Sequence, residues 1–288
     1  NFTQYFIINL IMINVKLYII MIDKFGKFFY TYMWIIILLF ITLIVLYYRW
    51  EIRKKDSKSN KMVEIYKELY TNEIDDNLSL NNEIYDHPLL DFYIKGSYNS
   101  CCAGNFYNSY VTLKPLETIL DFGARILDFQ IYSIDGEPVV AASSNGILFL
   151  KGTYNYLTLD EVFQTITDKL KGNAPLFLNF RIYSNKQEIY PKMASAIKNH
   201  FGDRLLPRKY GYEGISGEII TNSDGTVSRK SVNICYEPLK KLFNKIIIIA
   251  DQENLNFRNT NNLFYELVNL TKKHNYFKYE RYYGIKNT

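Results

Sequence analysis

Between Phe28 and Tyr48 the chain has no charged residue for 21 positions, with Lys24 and Lys27 before the run and Arg49, Arg53, Lys54 and Lys55 after it. A helix rises about 1.5 Å per residue, so this run spans about 30 Å, the thickness of a bilayer hydrocarbon core, while satisfying its own backbone polar groups. Tyr30, Tyr32 and Trp34 sit at one edge and Tyr47, Tyr48 and Trp50 at the other, where amphipathic rings favour the headgroup zone. The expectation is a single-pass transmembrane helix. A buried core helix fits less well, because nothing nearby is patterned to surround a helix that is apolar on every side. A cleaved signal peptide also fits poorly, since the run is long and no small-x-small site follows it.

Upstream, Phe6 to Ile22 is apolar apart from Lys16, and reads as a weak second span, an interfacial helix, or sequence preceding the true start. Six basic residues follow the main span closely (Arg49, Arg53, Lys54, Lys55, Lys58 and Lys61) against three before it, which places the large domain on the cytoplasmic side. Residues 49–86 turn basic, then helical in pattern from Met62 to Tyr70, then acidic, and read as a tether. Its Lys/Arg cluster reads equally as a contact for anionic lipid and as a solvated run that stops the helix sliding. The organisation expected is therefore an apolar segment (1–27), a membrane helix (28–48), a tether (49–86) and a globular domain (87–288).

The globular part alternates short apolar runs with helical periodicity. Phe92 to Lys95, Arg125 to Tyr132, Pro138 to Ala142, Pro175 to Ile182 and Ile246 to Ala250 read as strands. Thr112 to Asp121, Thr158 to Lys171, Gln187 to His200, Glu237 to Phe243 and Leu263 to Thr271 read as helices, with Tyr276 to Tyr282 as a final strand or hairpin arm. The segment Gly211 to Ser231, with its Ser223-Asp224-Gly225 turn, reads as a hairpin or long surface loop. Repeated strand-helix units predict an α/β fold with a parallel sheet covered by helices. Neither GxGxxG after the first strand nor GxxxxGK[ST] occurs, so the standard nucleotide phosphate loops lack support. Basic residues exceed acidic ones by only 34 to 29, which gives no reason to expect a nucleic-acid partner. Three cysteines, two of them adjacent at Cys101 and Cys102 with Cys235 apart, are expected to be free thiols.

Several segments, in order, resemble the catalytic X region of phosphatidylinositol-specific phospholipase C. They are PLLDFYIKGSYNS at Pro88 to Ser100, LDFGARILDFQIYSIDG at Leu120 to Gly136 followed by EPVV, PLFLNF at Pro175 to Phe180, MASAIKNHFGDRLL at Met193 to Leu206, and PLKKLFNKIIIIA at Pro238 to Ala250. The resemblance implies a TIM-barrel-like phosphodiesterase fold with its site at the C-terminal ends of the strands. About 200 residues follow the tether, so such a barrel is expected to be incomplete or distorted, or closed by another segment.

In that family one histidine makes the inositol 2-hydroxyl a nucleophile and another protonates the leaving oxygen. Here the matching positions hold Tyr98 and, in Ala142-Ser143-Ser144, Ser144. Tyrosine titrates near 10 and an unactivated serine not at all near neutrality, whereas imidazole titrates near 6.5. Both halves of the relay are missing. The three histidines of the chain, His87, His200 and His274, fall outside these positions, and no pair has metal-ligand spacing.

The resemblance also implies a calcium site in the eukaryotic branch. Its Asn ligand matches Asn99 and its first acid matches Asp128, but Gln130 and Arg181 stand where two further acids belong. Calcium wants six or more oxygens and net negative charge, so no cofactor is expected. Asp128 and Arg181 read as a charge pair, and Asn99, Arg125, Asp128 and Arg181 as the residues that would meet an anionic headgroup or phosphate.

The sequence thus predicts a membrane-anchored, catalytically silent phospholipase C-like domain with a structural or interaction role. A phosphoinositide- or phosphate-binding module is the second reading, and a divergent phosphodiesterase the third. Partners expected are membrane lipid and proteins of a membrane-associated or viral assembly. The Tyr-, Ile-, Lys- and Asn-rich composition fits an AT-rich genome such as that of a large DNA virus or a protist parasite, and places a virion membrane among the candidate locations. Asn77-Leu78-Ser79 and Asn269-Leu270-Thr271 match the glycosylation pattern, which matters only for a lumenal domain.

Overall fold

The computed structural model describes residues 2–69, 78–104, 106, 108–144, 150–211, 218–230, 232–251, 255–258 and 263–271 of the 288. The first helix, α1 (Phe2–Leu69), runs without interruption through a stretch that lacks proline and has one glycine, Gly26. The chain divides into two compact units, Asn1–Asp56 and Ser57–Thr288. From Met12 to Ile52 the apolar side chains face outward on every side; Trp34, Leu38 and Phe40 are each about two-thirds exposed. The helix is long and apolar enough to cross a membrane.

The second unit begins inside α1. The segment read as the start of a tether is helical to Leu69, and its last turns lie on the globular fold. Ser59 is buried with its hydroxyl 3.0 Å from that of Thr112, Lys114 donates to Asn60, and Tyr66 stacks on Phe122 with ring centres 6.2 Å apart.

Next come α2 (Leu113–Asp121), strands β1 (Ile126–Ile134) and β2 (Glu137–Ala141), the two-residue β3 (Leu157–Thr158), α3 (Leu159–Lys169), β4 (Leu176–Ile182) and α4 (Ile189–Phe201). A hairpin, β5 (Glu218–Thr221) and β6 (Val227–Lys230), fills part of the segment read as a hairpin or loop; Gly225 at its turn takes a positive φ of 78°. Strand β7 (Ile246–Ala250), helix α5 (Leu263–Leu267) and β8 (Val268–Thr271) complete the described chain. Helix α3 starts on a capping box: the Thr158 hydroxyl accepts from the Glu161 amide, and the Glu161 carboxylate accepts from the Thr158 amide at 2.8 Å.

The main sheet has the order β3-β2-β1-β4-β7-β8. Strands β1, β4, β7 and β8 are parallel, as the strand-helix alternation predicts, but β2 and β3 run antiparallel to their neighbours. The reason is the Asp135-Gly136 turn, where both residues have positive φ and so fold β2 straight back onto β1 as a hairpin. Among the described residues the sheet is open, with β3 and β8 at its edges, and the closure of a barrel is not formed by these strands.

Alternation along the strands creates two faces. Leu127 and Phe129 of β1, Leu178 and Phe180 of β4, and Ile248 of β7 pack with helices α2 to α5 in the largest core cluster. On the opposite face, Ile126, Phe177, Ile247 and Ile249 meet Leu89, Tyr210, Ile234, Leu239 and Leu242 from the irregular segments. That second face is apolar where the strands begin and becomes polar toward their C-terminal ends, at Asp128, Gln130, Asn179 and Arg181.

Three element expectations change. Phe92 to Lys95 follows a single helical turn at Leu89–Asp91 and forms no strand: the Lys95 carbonyl accepts from the Arg125 and Ile126 amides, the one bridge is at Gly96, opposite Ile126, and Tyr93 is 98% exposed. Glu237 to Phe243 forms one short turn, Leu239–Leu242, confined between Pro238 and Asn244, whose φ is +60°. The helix read from Leu263 to Thr271 stops at Leu267, and the β-branched Val268 and Thr271 bound a buried strand instead. The strand read at Tyr276 to Tyr282 lies outside the described residues. Asn269 is buried in β8, where its side chain accepts from the Ile248 amide at 2.9 Å and donates to the Tyr210 carbonyl, so the folded domain cannot present it for glycosylation.

If residues 57–69 belong to the fold, Tyr66→Ala destabilises the globular unit by about 2 kcal/mol through lost aromatic packing, which thermal unfolding of the full chain measures. An unchanged midpoint would show that this turn of α1 only rests on the surface.

Candidate functional site

The polar end of the second face is assembled by strand register. Asp128 of β1 lies directly opposite Asn179 of β4, and Gln130 opposite Arg181, so four polar side chains from two adjacent parallel strands share one face. The segment after the Gly96 bridge crosses above them. Asn99 takes a positive φ of 48°, a conformation asparagine tolerates better than most residues, and the resulting turn directs two successive amides at Asp128. The Asn99 amide donates to the Asp128 carboxylate at 3.0 Å, and the Ser100 amide donates to the Asp128 carbonyl at 2.9 Å. The Ser100 hydroxyl accepts from the Asp128 amide at 2.9 Å.

Arg181 occupies the centre. Its Nε and Nη2 donate to the two oxygens of Asp128 at 3.0 and 2.5 Å, Nη2 also donates to Asn99 Oδ1, and Nη1 donates to the Tyr98 hydroxyl at 2.9 Å. The side chains of Arg181 and Asp128 are 5% and 4% exposed. Burial alone would lower the guanidinium pKa, but the Asp128 charge and its hydrogen bonds more than offset this and hold it above its ordinary value. The Tyr98 ring lies over the guanidinium, 4.3 Å from centroid to central carbon, with Phe106 edge-on to it at 5.6 Å. Asn179 donates to Asp128 Oδ1 at 2.6 Å. The space between Asn99, Cys101, Asp128, Gln130 and Ala142 leaves no room for a water molecule.

Of the residues singled out in the sequence, Tyr98, Asn99, Asp128 and Arg181 therefore converge. Arg125 does not join them. It is buried at the start of β1, where its guanidinium donates to the carbonyls of Lys171 at 2.8 Å and Ala124 at 3.5 Å, tying the end of α3 to the strand. Ser144 is exposed, one residue beyond Ser143, whose peptide clamps Gln130 through bonds of 2.7 and 3.0 Å. Asn179 and Ser100 were missed. The available signal for Asn179 was a lone amide in the otherwise apolar run Leu176 to Phe180, two positions before Arg181 and so on its face of the strand.

The donor set does not fit calcium. Both oxygens of Asp128 already accept two hydrogen bonds each, and its charge is matched by Arg181. Asn99 Oδ1 is engaged by Arg181, and Gln130 Oε1 accepts from the Tyr132 hydroxyl and the Ser143 amide. A divalent cation here would meet a guanidinium and no uncommitted carboxylate. Among the described residues, no group of three or more His, Cys, Asp or Glu side chains is placed to hold a metal ion.

Neither described histidine lies at this polar face. His200 lies in α4 on the helix-covered side of the sheet, against Phe163 and 3.1 Å from Asp160, while His87 is exposed and 3.7 Å from Asp91. His274 lies outside the described residues. Burial, then the neighbouring Tyr183, holds the Tyr132 phenol above its ordinary value, and burial raises the Cys101 thiol. None of the three cysteines is in a disulfide, and burial pushes the Cys235 thiol up to about 11.

A pair this deeply buried should tolerate joint removal better than the loss of one member. Asp128→Asn is expected to cost about 3–5 kcal/mol by stranding the guanidinium charge, and the double variant Asp128→Leu with Arg181→Met to recover at least half of that loss. Thermal unfolding of the three proteins measures the difference; equal loss in both would show that the surrounding polar groups, not the charge balance, set the stability.

A search among curated proteins finds no match. Among solved structures, PLC21 of S. officinalis aligns with a TM-score of 0.43 and 17% identity over 57% of this chain and 19% of its own. A Ca+2-dependent phosphatidylinositol-specific phospholipase C from Streptomyces antibioticus aligns at 0.37 and 14%, over 58% of this chain and 53% of its own. The calcium-dependent phosphoinositol-specific phospholipase C of a Pseudomonas species aligns at 0.35 and 14%, over 58% of each chain. The present chain thus spans about a fifth of PLC21 and little more than half of the bacterial proteins. The family model for the phosphatidylinositol-specific phospholipase C X domain matches residues 85–252, which is more than half of the chain. With that match, and with an α/β sheet whose polar face gathers Asn99, Asp128 and Arg181, the chain belongs to the phosphatidylinositol-specific phospholipase C X-domain family.

Proposed function

We propose that this protein is a membrane-anchored, non-hydrolytic member of its family, whose globular unit acts as a structural or interaction module at a membrane surface. The observation that carries this reading is the commitment of Arg181: four of its five N–H donors are directed to Asp128, Asn99 and Tyr98. A catalytic pocket of this kind needs an electrophilic group free to meet a phosphate and a group able to take and return a proton. The first is bound internally, and Tyr98 and Ser144 stand where the family's two histidines would be. Positioned proton transfer contributes about 10²–10⁴ in rate, so its absence is a severe loss for an alkoxide leaving group.

The same geometry weighs against the phosphate-binding reading. Two further buried atoms lack a partner, Asn99 Nδ2 and Asn179 Oδ1. One is a donor and the other an acceptor, which is not the all-donor lining an anion requires. The divergent phosphodiesterase comes last for want of a base. The anchor reading rests on α1 and places the globular unit on the cytoplasmic side by the excess of basic residues after Tyr48. A membrane-associated assembly, a virion membrane among the possibilities, is the setting such a module suits.

The test is hydrolysis and binding by the full chain in detergent or vesicles. Release of water-soluble inositol phosphate from phosphatidylinositol is expected to match the protein-free blank with and without calcium. Vesicles containing phosphatidylinositol bisphosphate are expected to bind no better than vesicles of equal charge made with phosphatidylserine. Calcium-stimulated release above the blank would restore the enzyme, and selective phosphoinositide binding lost in Arg181→Met would establish the binding module.

A further inference from the structure

Helix α1 carries apolar side chains over more length than one bilayer takes up. Met12 to Tyr48 extends about 55 Å at about 1.5 Å per residue, against about 30 Å of hydrocarbon. Fitting that length into one crossing would need a tilt of about 57°, beyond the range of about 0–40° seen for membrane helices. It would also bring Asp23, Lys24 and Lys27 near the bilayer midplane, where charged groups are strongly disfavoured. These charges sit instead as a polar turn between two apolar stretches. Asp23 and Lys27 are paired at 2.8 Å with both side chains more than half exposed, and Gly26 between them has open space around it.

The stretch before that turn has no face suited to water. Met12, Ile13, Val15 and every residue from Leu17 to Ile22 are more than half exposed. Asn14 and Lys16 are its only strongly polar residues, and they project in nearly opposite directions around the helix, so they form no polar stripe. A helix that is apolar all round needs apolar surroundings all round. Without a distinct seam for a protein neighbour, acyl chains meet that need most simply. Lys16 lies about 9 Å along the helix from Ile22, within reach of the headgroups for a long side chain that extends along the helix surface.

We propose that residues 12–22 are a second lipid-embedded segment, in the same bilayer as residues 28–48. Asp23 to Lys27 then lies in the headgroup layer on the side away from Arg49, and in the bilayer the chain changes direction at Gly26, whose missing side chain makes it the natural point for a sharp bend. This inference rests on the membrane-anchor reading and adds a second entry into the lipid to it.

The experiment uses the full chain in sealed membrane vesicles, labelled with a membrane-impermeant maleimide and read by mass spectrometry of the labelled peptides. The partly exposed native Cys102 reports the side of the globular unit. Phe25→Cys is expected to label only from the opposite side, and Ile19→Cys from neither side until detergent is added. In purified protein reconstituted into phosphatidylcholine, a bimane on Ile19→Cys is expected to be quenched by acyl-chain nitroxides at least twofold more than one on Phe25→Cys. Labelling of Ile19→Cys as fast as Phe25→Cys, labelling of Phe25→Cys from the Cys102 side or from neither, or an unquenched probe at residue 19 overturns the second segment. Release of the unsubstituted chain by alkaline carbonate overturns the anchor itself, and the two failures are therefore distinguishable.

Discussion

An aspartate and an arginine held in the interior of a protein lose their hydration, and only a close, well-aligned partner returns it. Asp128 and Arg181 achieve this across adjacent parallel strands, with two direct bonds between side chains that are almost fully buried. Nearly every polar group on that face is explained by the pair. Asn179 and the Asn99 amide complete the shell of the carboxylate, Tyr98 covers the guanidinium, and the positive φ of Asn99 is the backbone cost of bringing its amide into range. The polar end of the sheet is thus a self-contained network on a face whose other end is an ordinary apolar core.

The X-domain scaffold and the polar site at its strand ends depend on different residues. Sheet order and helix packing depend on the alternation in β1, β4 and β7, whose core-facing residues are all apolar. The polar side chains toward the C-terminal ends of β1 and β4 carry a different demand, the balance of buried charge, and Arg181 meets it beside Asp128.

Much of this was legible from residue pattern. The runs at β1, β4 and β7 are short and rich in Ile, Leu and Phe, and β7 is apolar throughout, which is how parallel strands buried on both faces read. Helix α3 announces itself by Thr158 and Glu161 at capping-box spacing. The Asp128–Arg181 pair was implied by the family resemblance, which set both residues at matching site positions. What pattern could not reveal was register. Only the alignment of Asp128 with Asn179 brings that amide into the network, and only the location of Arg125 before the first paired residue of β1 removes it to the far end of the strand. The misread strand at Phe92 to Lys95 has a similar origin, since an extended apolar segment looks the same whether or not a neighbour offers it a ladder.

A cation built into the chain differs from one recruited from solution in having no dissociation equilibrium. Chelators, dilution and fluctuations in free calcium leave the Arg181 charge in place, and its pairing with Asp128 is lost only when β1 and β4 separate. The electrostatics of this buried pair are therefore coupled to the folding of the sheet rather than to ion supply.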